Sequence, residues 1–356
     1  MTRLLPAALF AAFAVGVATL PTNSAAEDPK AKQKEKAKQP KEKPKKPARI
    51  AINEPKELAD NKDFAIQGEY EGTISLNSGE KKVGAQVISK GEGKFAVKVL
   101  MGGLPGAGAD PKAEPLMAEA KRGDGDSAEI TGKTLSGTVG GGKLTLKDGM
   151  KIDTTLTKVE RKSPTLGAKP PEGAVVLFGK EGDEANWNGG KLVKLSDGTF
   201  LGVGTKSKQA FGDFKAHCEF RLPWMPNSGG QGRGNSGFYL QDRYEVQMLD
   251  SFGLKGENNE CGGVYTLAKP SVNMCLPPMT WQTYDIEFTA AKFDGDKKVK
   301  PAILTLVHNG VKIHDKVELK GSTGGGQKES AKPGPIQLQN HGDPLVFRNA
   351  WIVETK

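Results

Sequence analysis

The chain is 356 residues long and carries 51 Lys and Arg against 42 Asp and Glu, a formal charge of +9. Residues 1–49 hold 11 of the basic and 4 of the acidic residues, so the remaining 40 and 38 nearly cancel. That leaves no basic surplus on a folded surface, which argues against nucleic-acid recognition, and three cysteines are too few for a disulfide framework.

Arg3 precedes an apolar stretch from Leu4 to Leu20, and Ser24-Ala25-Ala26 supplies the small residues that a signal peptidase reads. Residues 1–26 are therefore expected to be an export signal, placing the protein in the periplasm or outside the cell. Read instead as an uncleaved membrane anchor, the same stretch is weakened by Pro6 and its small residues. Nine lysines between Lys30 and Lys46, broken by Pro40 and Pro44, leave residues 27–49 almost nothing to bury. This segment is expected to be a disordered linker whose charge allows electrostatic contact with anionic cell-envelope polymers.

Residues 50–160 read as a small β domain of unknown role. Strand-like runs cover Asp63 to Ile74, Lys82 to Ser89, Lys94 to Met101 and Lys143 to Lys158, with glycine turns at Gly102 to Gly108 and Gly140 to Gly142. The first glycine cluster runs on into loop instead of opening a helix, so it lacks the context of a phosphate-binding loop. Residues 161–173, rich in Pro, Gly and Lys, form a linker.

All four His, all three Cys, all four Trp and four of the five Tyr lie beyond Ala174, which locates the chemistry in residues 174–356. Phe214 to Leu222 alternates apolar and polar residues and places Cys218 on a buried face. Cys261 and Cys275 flank a loop, where they either pair or stay as two thiols. His308-Asn-Gly310 between the β-rich runs Ala302 to Val307 and Val311 to Val317 marks a hairpin. His217, His308 and His314 read as structural or surface residues. Many short strands without a helical period predict a sandwich or jelly roll.

One strand, Tyr244 to Asp250, concentrates the candidates. Tyr244, Val246 and Met248 share one face, Glu245 and Gln247 the other, and Asp250 joins Glu245 only if a bulge or strand end intervenes. Two facing carboxylates would suit a glycosidase, which places them about 5–5.5 Å apart for retention and about 6.5 Å or more for inversion. An ordinary solvated sheet face gives the same spacing. The preceding glycine-rich loop leaves Arg233, Asn235 and Ser236 at the strand start, in a binding position. His341, before Gly342, falls in phase with Gln337 and Gln339 on a polar face, though such a His also bonds backbone readily. Tyr265 and Trp281 suit either sugar stacking or the core.

The run Gly234 to Ser251, then Cys261-Gly-Gly-Val-Tyr265, Trp281-Gln-Thr-Tyr-Asp285, His308-Asn-Gly310 and Gly334 to Ile352, resembles the 3-keto-disaccharide hydrolase family. The resemblance implies an all-β chain whose C-terminal half is a concanavalin-like, two-sheet jelly-roll sandwich acting on an oligosaccharide or glycoside oxidised at C3. A ketone there acidifies the C2 proton, so a base removes it, the glycosidic oxygen leaves from C1, and water adds back. The outcome is net hydrolysis, or lyase action if water does not add. Glu245, Asp250 and His341 are the candidates for proton transfer, with Arg233, Asn235, Arg243, Gln247, Tyr265 and Arg348 as sugar or enolate contacts. No cofactor is required, and metal dependence is left open. Laminarinase-like enzymes on the same sandwich carry E-x-D-x-x-E, whereas this strand reads Glu245-x-Gln247-x-x-Asp250, which argues against double displacement on an unoxidised glycan. The alternative to an enzyme is a lectin-like glycan-binding module, since one fold serves both.

Overall fold

The computed structural model describes residues 49–76, 79–148 and 153–355. The export signal and all of the lysine-rich linker except Arg49 lie outside the described residues. Among those described, no helix is long and apolar enough to cross a membrane. The chain is all-β and its ladders are antiparallel.

The first body comprises β1 (Gly68–Leu76), β2 (Gly79–Gly91), β3 (Lys94–Met101), β4 (Leu116–Arg122), β5 (Ser127–Thr131), β6 (Ser136–Gly140), β7 (Lys143–Lys147) and β8 (Asp153–Val159). Each pairs with the next, and β8 returns to β1 at Glu69, Tyr70 and Glu71, so the sheet closes into a barrel without a free edge. Alternation decides what faces in: Phe95, Val97 and Val99 of β3 join Tyr70, Val87, Ile130, Leu144 and Leu156 in its core. Two expectations need correcting. Residues Lys62–Ile66 form a short helix, because Asn61 caps the Phe64 amide at 2.9 Å, and the strand starts only at Gly68. The run Lys143 to Lys158 is two strands, β7 and β8.

The second body comprises β9 (Val175–Phe178), β10 (Trp187–Asn188), β11 (Leu192–Leu195), β12 (Gly198–Gly202), β13 (Thr205–Phe211), β14 (Phe214–Arg221), β15 (Ser236–Leu240), β16 (Tyr244–Met248) and β17 (Trp281–Thr289). It continues with β18 (Lys292–Asp294), β19 (Lys297–Lys300), β20 (Ala302–His308), β21 (Val311–Leu319), β22 (Gly334–Leu338) and β23 (Val346–Glu354). One sheet runs β10-β13-β22-β15-β16; the other runs β11-β12-β23-β14-β17-β20-β21, with β9 beside β23. Phe238, Val246, Met248, Ile336 and Leu338 of the first pack with Cys218, Phe220, Tyr284, Leu304 and Phe347 of the second in one core. All three cysteines are buried free thiols.

Barrel and sandwich belong to one compact unit. Ile88 of β2 is part of the sandwich core, in a notch where a Cβ on Gly253 would come within 2.5 Å of its Cδ1. Lys98 donates to the carbonyls of Gly253 and Leu254 at 3.2 and 3.1 Å.

The linker after the barrel seals the outer face of the larger sheet. There His217 Nδ1 lies 2.6 Å from Asp285 Oδ1 and its ring stacks on Trp351. Thr165 Oγ1 donates to Asp285 and the Gly167 amide donates to Glu219, each at 2.6 Å. Burial alone would lower the His217 pKa, but the two acids outweigh it and raise it.

Candidate active site on the five-stranded sheet

The outer face of the smaller sheet is a polar grid set by strand register. Lys206 pairs with Gln337, Gln337 with Tyr239, and Tyr239 with Glu245, so one residue from each of four strands lines up in a row. In the adjoining row the Gln339 amide reaches the Gly237 carbonyl, and Gly237 pairs with Gln247. The β15–β16 turn that aims Glu245 is tight: Gln241 and Asp242 both have positive φ, 54° and 58°. Gln241 is held there by its amide on the Phe211 carbonyl at 2.8 Å.

Glu245 is the chemical centre of this face. It is 3% exposed, and among the described residues its carboxyl's one hydrogen-bond partner is the Tyr239 hydroxyl, which donates to Oε2 at 2.9 Å. Burial pushes its pKa up to about 7, while the Tyr239 bond pulls the other way. A carboxyl near that value can both take and return a proton at neutral pH. Gly237 makes room for it, since a Cβ there would lie 2.2 Å from Glu245 Oε1. Tyr239 also faces the Gly324 carbonyl at 3.0 Å, so one proton has two acceptors. Gln339 Nε2 donates to the same hydroxyl at 3.1 Å.

The remaining groups are oxygen-rich. Asn235 Oδ1, Gln247 Oε1, Gln339 Oε1 and Asp242 Oδ1 are all shielded and without a hydrogen-bond partner. Buried acceptors of this kind call for donors. At the far end of the row Lys206 is bound to Asp242 Oδ2 at 2.7 Å and is partly exposed. Tyr265 is half-buried beside the face, its amide on the Glu245 carbonyl at 3.0 Å. Among the described residues, no group of three or more His, Cys, Asp or Glu is placed to hold a metal ion.

Of the predicted residues, the register thus brings together Glu245, Asn235, Gln247 and Tyr265. The others are committed elsewhere. Asp250 lies beyond the end of β16 and takes Arg233 Nε at 2.6 Å, with both side chains buried, while Arg233 Nη1 reaches the barrel at the Ser89 carbonyl. That buried ion pair lies at the seam of barrel and sandwich, away from Glu245. Arg243 clamps the loop between β21 and β22 through Ser330 Oγ and the Lys332 carbonyl. Arg348 sits on the outer face of the other sheet, bound to Glu219 at 2.7 Å and stacked on Trp281, so it cannot contact a sugar beside Glu245. His341 is exposed in the turn after β22. Tyr239, Lys206, Gln231 and Gln339 were not singled out from sequence; only Tyr239 and Gln339, in phase with strand neighbours, left any signal there.

A cavity of about 410 Å³ lies at the seam of barrel and sandwich, lined by Phe64, Gln67, Met279 and Trp281 among others. Its buried acid, Glu69, is bound by Arg161 at 2.6 Å and by Gln86 at 3.2 Å. Among the described residues it therefore offers no unpaired buried carboxylate.

The sequence family described as the 3-keto-alpha-glucoside-1,2-lyase-like domain matches residues 173–353, 181 of the 356. Two solved structures from Parabacteroides distasonis ATCC 8503, each described as a candidate glycosyl hydrolase, are similar to this chain. One is 34% identical over 52% of this chain and 85% of its own, with a TM-score of 0.46. The other is 18% identical over 52% of this chain and 95% of its own, with a TM-score of 0.37. No curated protein matches the chain.

Proposed function

The chain belongs to the 3-keto-alpha-glucoside-1,2-lyase-like family, and from that premise we propose that its sandwich, a concanavalin-like jelly roll, cleaves 3-keto-glycosides beside Glu245. The observation that carries the reading is a buried carboxyl poised near neutrality on a face of unpaired amide oxygens. In its ionised form Glu245 removes the C2 proton that the C3 ketone has acidified. The resulting enolate expels the glycosidic oxygen from C1, which leaves with the bonding pair and takes up a proton. Water then adds at C1 of the enone and a proton returns to C2, giving net hydrolysis; release before that addition is the lyase outcome. Tyr239 orients the base.

Direct displacement on an unoxidised glycan is disfavoured, because Gln247 stands where an acid would be needed and Asp250 is spent on Arg233. The test offers purified protein a 3-keto-disaccharide and its unoxidised parent. Cleavage of the oxidised sugar alone is expected, falling about 100-fold or more in Glu245→Gln. Binding of both sugars with cleavage of neither would refute this reading and favour the lectin-like module. We also infer export, supported by Arg3, the Leu4 to Leu20 stretch and Ser24-Ala-Ala26; recovery of uncleaved protein from the cytoplasm would refute it.

A further inference from the structure

We propose that Asn235 and Gln247 form a fixed pair of acceptors that selects sugars by their hydroxyl donors, and that Gln231 is the positioning residue that fixes them. The inference rests on reading the Glu245 face as the substrate site.

The argument is one of hydrogen-bond direction. Amide oxygen and nitrogen are interchangeable in shape, so their orientation has to be deduced from partners that allow no choice. Gln231 Nε2 donates to the main-chain carbonyl of Asn259 at 2.8 Å, and a carbonyl only accepts. Gln231 Oε1 is therefore the atom facing Asn235 Nδ2 at 3.1 Å and Gln247 Nε2 at 3.2 Å. A second carbonyl, that of Gln231 itself, accepts from Asn235 Nδ2 at 2.8 Å and confirms the sense. Both nitrogens thus face Gln231 as donors, Asn235 Nδ2 in two bonds and Gln247 Nε2 in one.

Asn235 Oδ1 and Gln247 Oε1 are left without partners in residues 1% exposed. Gln247 lies two residues from Glu245 on the same strand face, and Asn235 precedes Gly237 by two, so the pair adjoins the base. Two neutral, shielded acceptors want neutral donors. An ammonium would lose its hydration without gaining a counter-charge, whereas sugar hydroxyls supply donors at no such cost. A ketone oxygen, being an acceptor, is repelled by both. The substrate is thereby oriented with free ring hydroxyls toward Asn235 and Gln247 and the C3 carbonyl away from them.

The test is calorimetric titration of the full chain carrying Glu245→Gln with a 3-keto-disaccharide and with derivatives each lacking one hydroxyl. Loss of at least one hydroxyl is expected to weaken binding about tenfold or more. Gln231→Leu, which frees the Gln247 amide to rotate and leaves Asn235 held by the Gln231 main-chain carbonyl, should shrink the discrimination at the hydroxyl facing Gln247 below about threefold with the melting temperature unchanged. Gln231→Glu keeps an accepting oxygen toward both amides and should retain it. Equal affinity for every derivative overturns the proposal, as does undiminished discrimination in Gln231→Leu. Failure of the parent sugar to bind overturns it together with the functional reading. Intact discrimination in a wild-type protein that cleaves nothing retires the functional reading alone and upholds the acceptor pair.

Discussion

Replacing Gly237 by alanine tests the assignment of Glu245 without touching it. The backbone of Gly237 is not left-handed, so alanine is conformationally allowed. Its Cβ, however, would lie 2.2 Å from Glu245 Oε1 and 2.8 Å from Cγ and Cδ. The carboxyl group must swing aside, giving up the 2.9 Å bond from Tyr239. A hydrogen bond to a charged group is worth about 1.5–3 kcal/mol, which converts to roughly a 10- to 150-fold fall in kcat/KM if the base is the displaced group. Against this, removing glycine from the unfolded chain changes stability by only about 1 kcal/mol. Steady-state kinetics on a 3-keto-disaccharide, paired with a thermal melt, separates the two effects. A Gly237→Ala protein with wild-type kcat/KM and an unchanged melting temperature would refute the placement of Glu245 as the base.

Three further outcomes follow from the same geometry. Tyr239→Phe removes the one bond that favours the ionised carboxyl, so the acidic limb of the pH–rate profile should move to higher pH. Glu245→Gln should melt higher than wild type at pH 8 and alike at pH 4. The penalty for ionising a carboxyl raised from 4.5 to about 7 is absent below the lower value and complete above the upper, on the order of 3 kcal/mol. For His217, whose folded pKa is raised, the stabilisation is full below its unfolded pKa and is lost as pH rises through the folded one. Melts of wild type and His217→Gln should therefore draw together as pH rises through the raised His217 pKa. Glu219, on the other side of the ring, is held down at about 2 by bonds from His217, Asn349, Gly167 and Arg348 that outweigh its burial. It stays ionised throughout that range, and a pH-independent gap between the two proteins would refute the account.

Strict alternation carried the sequence reading where a strand has one wet and one dry face. Lys94 to Met101 shows this, while Phe214 to Leu222 alternates in sequence although the linker buries its polar face too. Strands β5 and β6 leave little signal because they are short and rich in Ala, Ser, Thr and Gly, and β4 because its larger apolar residues, Leu116 and Met117, are exposed while Ala118 and Ala120 face the core. The helix at Lys62–Ile66 is too brief to show a period. Charges were harder still. Whether Arg233, Asp250 and Arg348 face a ligand or each other depends on which strands become neighbours. The row from Lys206 to Glu245 likewise joins residues up to 131 positions apart, from Lys206 to Gln337. Tyr239 stood in the quoted motif, yet only its pairing with Glu245 gave it a role.

The insertion of Ile88 into the sandwich core bears on how this chain can be divided. Any cut between barrel and sandwich leaves the notch at Gly253 open, strands the Lys98 ammonium away from two carbonyls, and deprives Arg233 of its contact with Ser89. The barrel is in this sense an organ of the sandwich and not its passenger: it supplies a piece of wall that the hydrolase-like half does not encode for itself.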